Sequence, residues 1–238
     1  MKQLLFIASA SLLLASCGEV YVKGKGNVVT EQKQVDGFSS IDIAAPVKAE
    51  ITIQEGAPSV SLDGYENVLK HIRVSTKNNE LVIEVMDGVD LQTDKPVTAI
   101  IHLPRLENID LSGAVTANVR GVMHADAIGC DLSGSTKLSI ESIAAKTLDV
   151  DISGLGLLDV GSGQVETASY NVSGSGTINS YGMQANHVLV DVSGSGTIQT
   201  TALTDLDVSI SGAGNVSYKG NPAIKQDISG AGSLKAVN

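Results

Sequence analysis

The second half of the chain alternates apolar and polar residues around a repeated Ser-Gly pair. The steps between successive pairs are 21, 20, 20, 20, 18 and 18 residues. A fixed period near 20 residues is typical of a solenoid, in which each repeat is one coil that buries its apolar face by stacking on its neighbours. The serines of the pairs are Ser112, Ser133, Ser153, Ser173, Ser193, Ser211 and Ser229.

Two apolar columns flank one polar column just before each Ser-Gly pair. This alternation, rich in β-branched residues, predicts half-buried strands whose apolar columns face inward. The polar column, which we call the aspartate column, is expected to face outward. It contains Asp110, Asp131, Asp151, Asn171, Asp191, Ser209 and Asp227. The apolar columns begin with Ile109, Cys130 and Val150, and with Leu111, Leu132 and Ile152.

A further apolar column lies five residues after each of these serines. It contains Ala117, Leu138, Leu158, Ile178, Ile198, Val216 and Leu234. Because the shortening to 18 residues falls after this column, we expect a third, looser side of the coil to absorb it. The pattern predicts an all-β fold, a right-handed parallel β-helix with coils of about 20 residues over residues 107–238. Seven rungs at the strand spacing of about 4.8 Å would form a rod of about 34 Å.

Strand patterns in residues 37–106 are less regular than those of the repeats. They predict larger, irregular coils that cap the rod, as terminal solenoid repeats usually differ from the rest. Only Tyr65 to His71 suggests a helix, of two turns at most. We therefore expect one β-helix domain over residues 37–238, preceded by a lipid-anchored tether over residues 17–36.

The chain begins with an apolar run, Leu4 to Leu14, that is too short to span a bilayer and predicts a secretory signal. The run ends in Leu14-Ala15-Ser16-Cys17, which resembles the bacterial lipobox. The resemblance implies removal of residues 1–16 and acylation of Cys17 with palmitate or a similar chain. Several acyl chains hold a protein stably on a membrane. We expect an outer-membrane lipoprotein of a Gram-negative cell, with the leaflet left open.

Charge and cysteine content limit the partners. Without Lys2 the chain has 26 acidic and 15 basic residues, a net charge near −11. Nucleic acid is not expected as a partner, since phosphate binding needs clustered Lys and Arg. Adsorption to anionic lipid headgroups is disfavoured for the same reason. Cys130 lies in an inward column, where we expect a small buried hydrophobe and no disulfide.

The aspartate column is the sharpest candidate site. Carboxylates about 4.8 Å apart on successive rungs could bind Ca²⁺, which takes six to eight oxygen ligands. The other interpretation is a solvated polar face whose like charges discourage aggregation. We favour this polar face, and expect no metal or cofactor, because the Gly-rich nine-residue repeat of calcium-binding β-rolls is absent. The calcium candidates are Asp110, Asp131, Asp151 and Asp191.

Catalysis is not expected from this sequence. Some parallel β-helices degrade polysaccharides, but that is an analogy of fold alone. Sugar sites usually contain aromatic platforms, and this chain has no Trp and only two Phe. Two catalytic carboxyls also need unlike environments, whereas these aspartates repeat in similar ones. No catalytic residue is therefore assigned.

Several segments together resemble the GIN-type head domain of auto-transporter adhesins. They are Gly24 to Val29, Phe38 to Ile41, Ala49 to Gly56, Leu81 to Ile83 and the Ser-Gly coils. The resemblance covers about residues 24–238 and implies a surface protein that binds a macromolecule along its long face, with a homo-oligomer possible. The alternative is a carbohydrate-active or calcium-dependent carbohydrate-binding β-helix that uses the aspartate column.

Overall fold

The computed structural model describes residues 20–237, which are 74% strand and 2% helix. The single helix in this range, α1, spans Glu66–Leu69, inside the predicted segment. No helix between residues 20 and 237 is long and apolar enough to cross a membrane. The strands are β1 Val20–Lys23, β2 Val28–Lys33, β3 Ser40–Ala44, β4 Val47–Ile53, β5 Ser59–Tyr65, β6 Ile72–Lys77, β7 Glu80–Val85, β8 Val89–Gln92, β9 Val97–Leu103, β10 Asn108–Leu111, β11 Thr116–Gly134, β12 Lys137–Gly154, β13 Leu157–Gly174, β14 Thr177–Gly194, β15 Thr197–Gly212, β16 Asn215–Lys219, β17 Ala223–Gly230 and β18 Ser233–Ala236.

Strands β10 to β18 stack in parallel as the coils of a β-solenoid of about six turns, which confirms the predicted fold. Each of β11 to β15 continues around the corners of its coil for 16 to 19 residues. Pairing is in register with the repeat, so Asp110 lies opposite Asp131, and Asp131 lies opposite Asp151. The period of the sequence is thus the length of one coil.

The predicted apolar columns form the core of the rod. Leu138 and Leu158 are fully buried, and Ile152 is 2% exposed. Complete burial of a Val, Leu or Ile side chain contributes about 1.5–3 kcal/mol, so stability accumulates along the axis. Cys130 is a free, buried thiol in this core, and burial raises its pKa to about 12. It therefore behaves as a small hydrophobe.

From Gly134 onward, the glycine of each Ser-Gly pair lies where two successive coils approach closely. Gly174 has a φ of 127°, and a Cβ there would lie 2.8 Å from the carbonyl oxygen of Gly154. Ser175 N–H donates a hydrogen bond of 2.9 Å to that same oxygen. Both the positive φ and the close approach exclude side chains. This geometry explains why glycine recurs once per coil.

The third side of the coil absorbs the shorter repeats, as expected. Pairing of β14 with β15 shifts register between Ser180 and Gln184 and again between Ala185 and His187. Before and after these shifts the two strands pair continuously, so the other sides keep their alignment. The 18-residue repeats are therefore shorter on this side, and the inward columns keep their alignment.

The amino-terminal cap, predicted as larger, irregular coils, contains antiparallel as well as parallel pairs. It contains three antiparallel pairs: β2 with β5, β5 with β9, and β6 with β7. Strands β6 and β7 are joined by a tight turn in which Asn78 and Asn79 have φ values of 51° and 66°. Asn tolerates this left-handed conformation better than most residues. Antiparallel pairing ends the solenoid by folding the chain back on its first coils.

The segment expected to be a tether contributes two strands to the cap. Residues Val20–Lys23 pair with β8, and Val28–Lys33 pair with β5. The expectation of a tether extending to residue 36 does not hold for these residues. Val22 is 9% exposed and alternates with exposed neighbours. Pairing with β8 and β5 makes residues 20–33 part of the folded cap.

Candidate functional site

The aspartate column lies on the outside of the rod, as predicted. Asp110, Asp131, Asp151 and Asp191 are all exposed, with Asn171 between the last two. The column begins one strand earlier than predicted, because Asp42 of β3 pairs with Asp110. The structure therefore places all four candidate residues on one face, where they form a line of acidic side chains.

Partial burial, together with neighbouring negative charges, raises the pKa of three carboxyls in this column. For Asp110 the largest cause is partial burial, followed by the charges of Asp42 and Asp131. For Asp131 the causes are partial burial and then the charge of Asp151. Asp42 is raised by burial and by nearby glutamates. Partial burial and like charges both favour the protonated form of a carboxyl. The ionised forms of these three carboxyls are therefore disfavoured in the folded protein.

No group of three or more His, Cys, Asp or Glu side chains in the described part of the chain is placed to hold a metal ion. The aspartates follow one another along a line, whereas Ca²⁺ needs oxygen ligands on several sides. A shallow depression of about 170 Å³ lies over Asp151, Asn171 and Asp191 and is bordered by serines of the repeat. The absence of a metal from the column remains an expectation, with calcium binding as its alternative.

A larger groove runs across successive coils on the third side of the rod, and we call it the side groove. Its volume is about 650 Å³. Small apolar residues form part of its lining, among them Ala125, Ala145 and Val165. Its polar lining residues are Arg105, His124, Asp126, Lys146, Gln164, Glu166 and Asn186. The surface is therefore long, shallow and mixed in charge.

Charged side chains in the side groove pair across adjacent coils. Lys146 Nζ lies 2.9 Å from Asp126 Oδ1, and both side chains are mostly exposed. The hydrogen bond and charge of Lys146 lower the pKa of Asp126, and the same pair raises the pKa of Lys146. Exposed pairs of this kind contribute little to stability. These side chains are consequently free to exchange their partner for a charged ligand.

The sequence analysis missed the side groove, although a signal for it was present. Asp126, Lys146, Glu166 and Asn186 recur at 20-residue steps, one on each of β11 to β14. Residue type changes at every step, so no apolar or acidic column is visible there. Only the stacking of the coils shows that these four side chains border one surface.

The histidines do not form an evident catalytic arrangement with serine or carboxylate. Ser59 Oγ and His102 Nδ1 are 3.4 Å apart, which is long for a hydrogen bond that activates a nucleophile. His187 Nδ1 lies 2.8 Å from Asp205 Oδ2 on the next coil, and both side chains are exposed. Each contact accounts for only two members of a triad. Cys17, the predicted acylation site, lies outside the described residues.

Comparison with known proteins supports this architecture. The sequence model of a family described as "Putative auto-transporter adhesin, head GIN domain" matches residues 37–222. No curated protein matches the chain. A solved structure described as a putative adhesin from Bacteroides fragilis is 23% identical, with a TM-score of 0.86 over 91% of this chain and all of that one.

Two further solved structures share the fold. A putative adhesin from Parabacteroides merdae is 20% identical, with a TM-score of 0.74 over 92% of this chain and 99% of that one. A protein from Parabacteroides distasonis described as a putative lipid binding protein is 22% identical, with a TM-score of 0.73 over 92% of this chain and all of that one. Nothing in these comparisons supports the carbohydrate alternative.

Proposed function

Since the chain belongs to the family of GIN-domain adhesin heads, we propose that it is a non-enzymatic adhesion protein of the cell envelope. In this proposal Cys17 anchors the protein in the outer membrane through acyl chains, and the rod binds a macromolecule along its side. The observation that supports a binding role is the side groove, an open surface lined by residues of successive coils.

The shape and chemistry of the side groove favour an extended polymer over a small molecule. Small-molecule sites are concave and bury most of the ligand, whereas this groove is shallow and open along several coils. Asp126, Lys146 and Glu166 alternate in sign along the axis. An extended peptide or protein surface with the opposite order of charges would meet complementary groups at each coil.

The packed interior of the rod leaves its surface as the place where a ligand can bind. Inward side chains such as Leu138, Val150 and Leu158 are fully buried and fill the space between the coils. An acyl chain inside the rod would have to displace them. The description of the Parabacteroides distasonis protein as lipid binding is therefore carried over only as contact with a membrane through the proposed anchor.

The test uses beads coated with the soluble chain lacking residues 1–17, applied to surfaces bearing mucin, collagen or purified peptidoglycan. We expect binding to at least one surface, weakened about tenfold by Lys146→Glu. The matched control is Lys225→Glu. Lys225 forms an exposed ion pair of 2.6 Å with Asp207 of the neighbouring coil, as Lys146 does with Asp126, but lies outside the groove.

Equal loss of binding in both variants would point to net charge and reject the side groove as the binding surface. Absence of binding to all three surfaces by the unchanged protein would contradict the adhesion proposal. Turnover of a polysaccharide substrate by the same preparation would overturn the non-enzymatic assignment.

A further inference from the structure

The amino end of strand β1 carries exposed apolar side chains at the start of the folded domain. Val20 is 57% exposed and Tyr21 is 65% exposed. Met86 is 37% exposed and begins the turn that leads to Gly88 and Val89. Val20 donates a hydrogen bond to Gly88 and pairs with Val89, so Met86 lies near Val20. We call Val20 and Tyr21, which project from opposite faces of β1, together with Met86 the apolar tip. Tyrosine beside apolar residues is favoured where a protein surface meets the membrane interface.

This tip is held firmly in place. All four residues of β1 pair with β8, from Val20 opposite Val89 to Lys23 opposite Gln92. Val20 N–H donates a 2.7 Å hydrogen bond to the carbonyl oxygen of Gly88. Val22 is buried against the core of the cap. Because the pairing extends to Val20, the strand cannot serve as a flexible spacer while the cap is folded.

Chain length then limits the distance between the tip and the proposed anchor. Only two residues separate Cys17 from Val20. Three residue steps span at most about 11 Å between Cα atoms, even when fully extended. An acylated Cys17 lies at the membrane surface, so the tip must lie within that reach of it. The distance is comparable to the depth of the interfacial layer, about 5–10 Å, in which apolar side chains are buried.

We propose that the apolar tip inserts into the membrane interface and that the rod stands on its amino-terminal cap. The proposal rests on the proposed acylation of Cys17. Asp87 and Asp90 lie next to the tip, so apolar contact and not attraction to anionic lipid drives the insertion. The last coil lies seven strand spacings from β3, about 34 Å farther along the axis. The side groove lies between these two levels, mainly on strands β11 to β14.

The absence of tryptophan from the chain allows a direct test. Tyr21→Trp places one fluorophore in the tip, and Ile224→Trp, at a residue 46% exposed, places one in the last coil. The full chain is labelled with palmitate in a Gram-negative host, purified and reconstituted into phosphatidylcholine vesicles with and without bromine on the acyl chains. Val20→Trp reports from the same tip and replaces Tyr21→Trp if that variant does not fold.

We expect brominated lipid to reduce the emission of Tyr21→Trp about twofold or more and to leave that of Ile224→Trp unchanged, since only the tip lies at interfacial depth. Palmitate incorporation without quenching at position 21 overturns the insertion and leaves the anchor intact. Failure to incorporate palmitate overturns both proposals. Equal quenching at both positions contradicts the upright rod.

Discussion

The two parts of the molecule bury similar residues but achieve it with different strand pairings. In the repeat coils, residues 107–237, the strands β10 to β18 pair in parallel with the coil before or after them. The cap, residues 20–106, combines three parallel pairs with three antiparallel pairs, and the antiparallel pairs turn the chain back on itself. The repeats extend the rod, whereas the cap closes its first end. In this chain, periodic sequence extends the solenoid and irregular sequence ends it.

A second difference concerns how each part uses glycine. Gly174 and its equivalents from Gly134 to Gly230 each combine a positive φ with a close approach to the backbone of the preceding coil. Gly56 in the cap has almost the same φ, 125°, but a Cβ there would meet nothing within 4 Å. The repeats therefore need glycine for space as well as for conformation, and the cap turn needs it for conformation alone.

The strongest way to break the repeat region is to place a charge between its coils. Ile152→Asp buries an unpaired carboxylate at a side chain that is 2% exposed. We expect a loss of more than about 4 kcal/mol in the free energy of unfolding, measured by urea denaturation. Leu155→Asp, three residues later and 64% exposed, is the matched control and should change stability by less than about 0.5 kcal/mol. Similar losses in both variants would contradict the packed interior.

Alanine at the two glycines should destabilise the repeats and the cap to different extents. Gly56→Ala should cost about 1–3 kcal/mol, because alanine is strained at this φ. Gly174→Ala carries the same strain and also forces the neighbouring coil to shift, which adds about 1–3 kcal/mol. Urea denaturation of both variants measures the difference. Equal losses would show that the coils do not approach as closely as the structure indicates.

The smallest expected effect concerns charge in the aspartate column. The pKa of Asp131 is above its ordinary value of 3.8, so its ionised form destabilises the folded state at neutral pH. This cost falls as the pH drops through the raised pKa and vanishes below 3.8. Asp131→Asn should raise the thermal unfolding midpoint slightly at pH 7 and no longer do so below about pH 4. Asp87→Asn, in a cap turn, is the control and should change little.

Thermal unfolding in the presence of Ca²⁺ tests the alternative interpretation of the aspartate column. An ion that binds only the folded state raises the unfolding midpoint, by about 2.7 kcal/mol of stabilisation at a hundredfold excess over its Kd. A calcium-dependent rise that Asp131→Asn with Asp151→Asn abolishes would show that the column is an ion site and not only a solvated face.

Sequence predicted the repeat region well because each coil obeys one local rule. Ile109, Cys130 and Val150 are buried in consecutive coils at the same position, and the aspartates between the apolar columns are exposed. Period-2 alternation determines which side chains face inward, and a constant period determines which residues stack. Those two patterns were enough to predict the coils, the core and the outward aspartate column.

Tertiary structure alone decided the cap and the side groove. Strand Val28–Lys33 pairs with strand Ser59–Tyr65, which is far away in sequence. No sequence repeat in the cap indicates which strands pair. Asp126, Lys146 and Glu166 share a surface only because the coils stack, and their residue types differ at each step. Burial leaves a periodic record in the sequence, because the inward residues are mostly apolar. A surface groove and an antiparallel pairing do not require one residue type at a fixed spacing. Only the folded chain therefore reveals them.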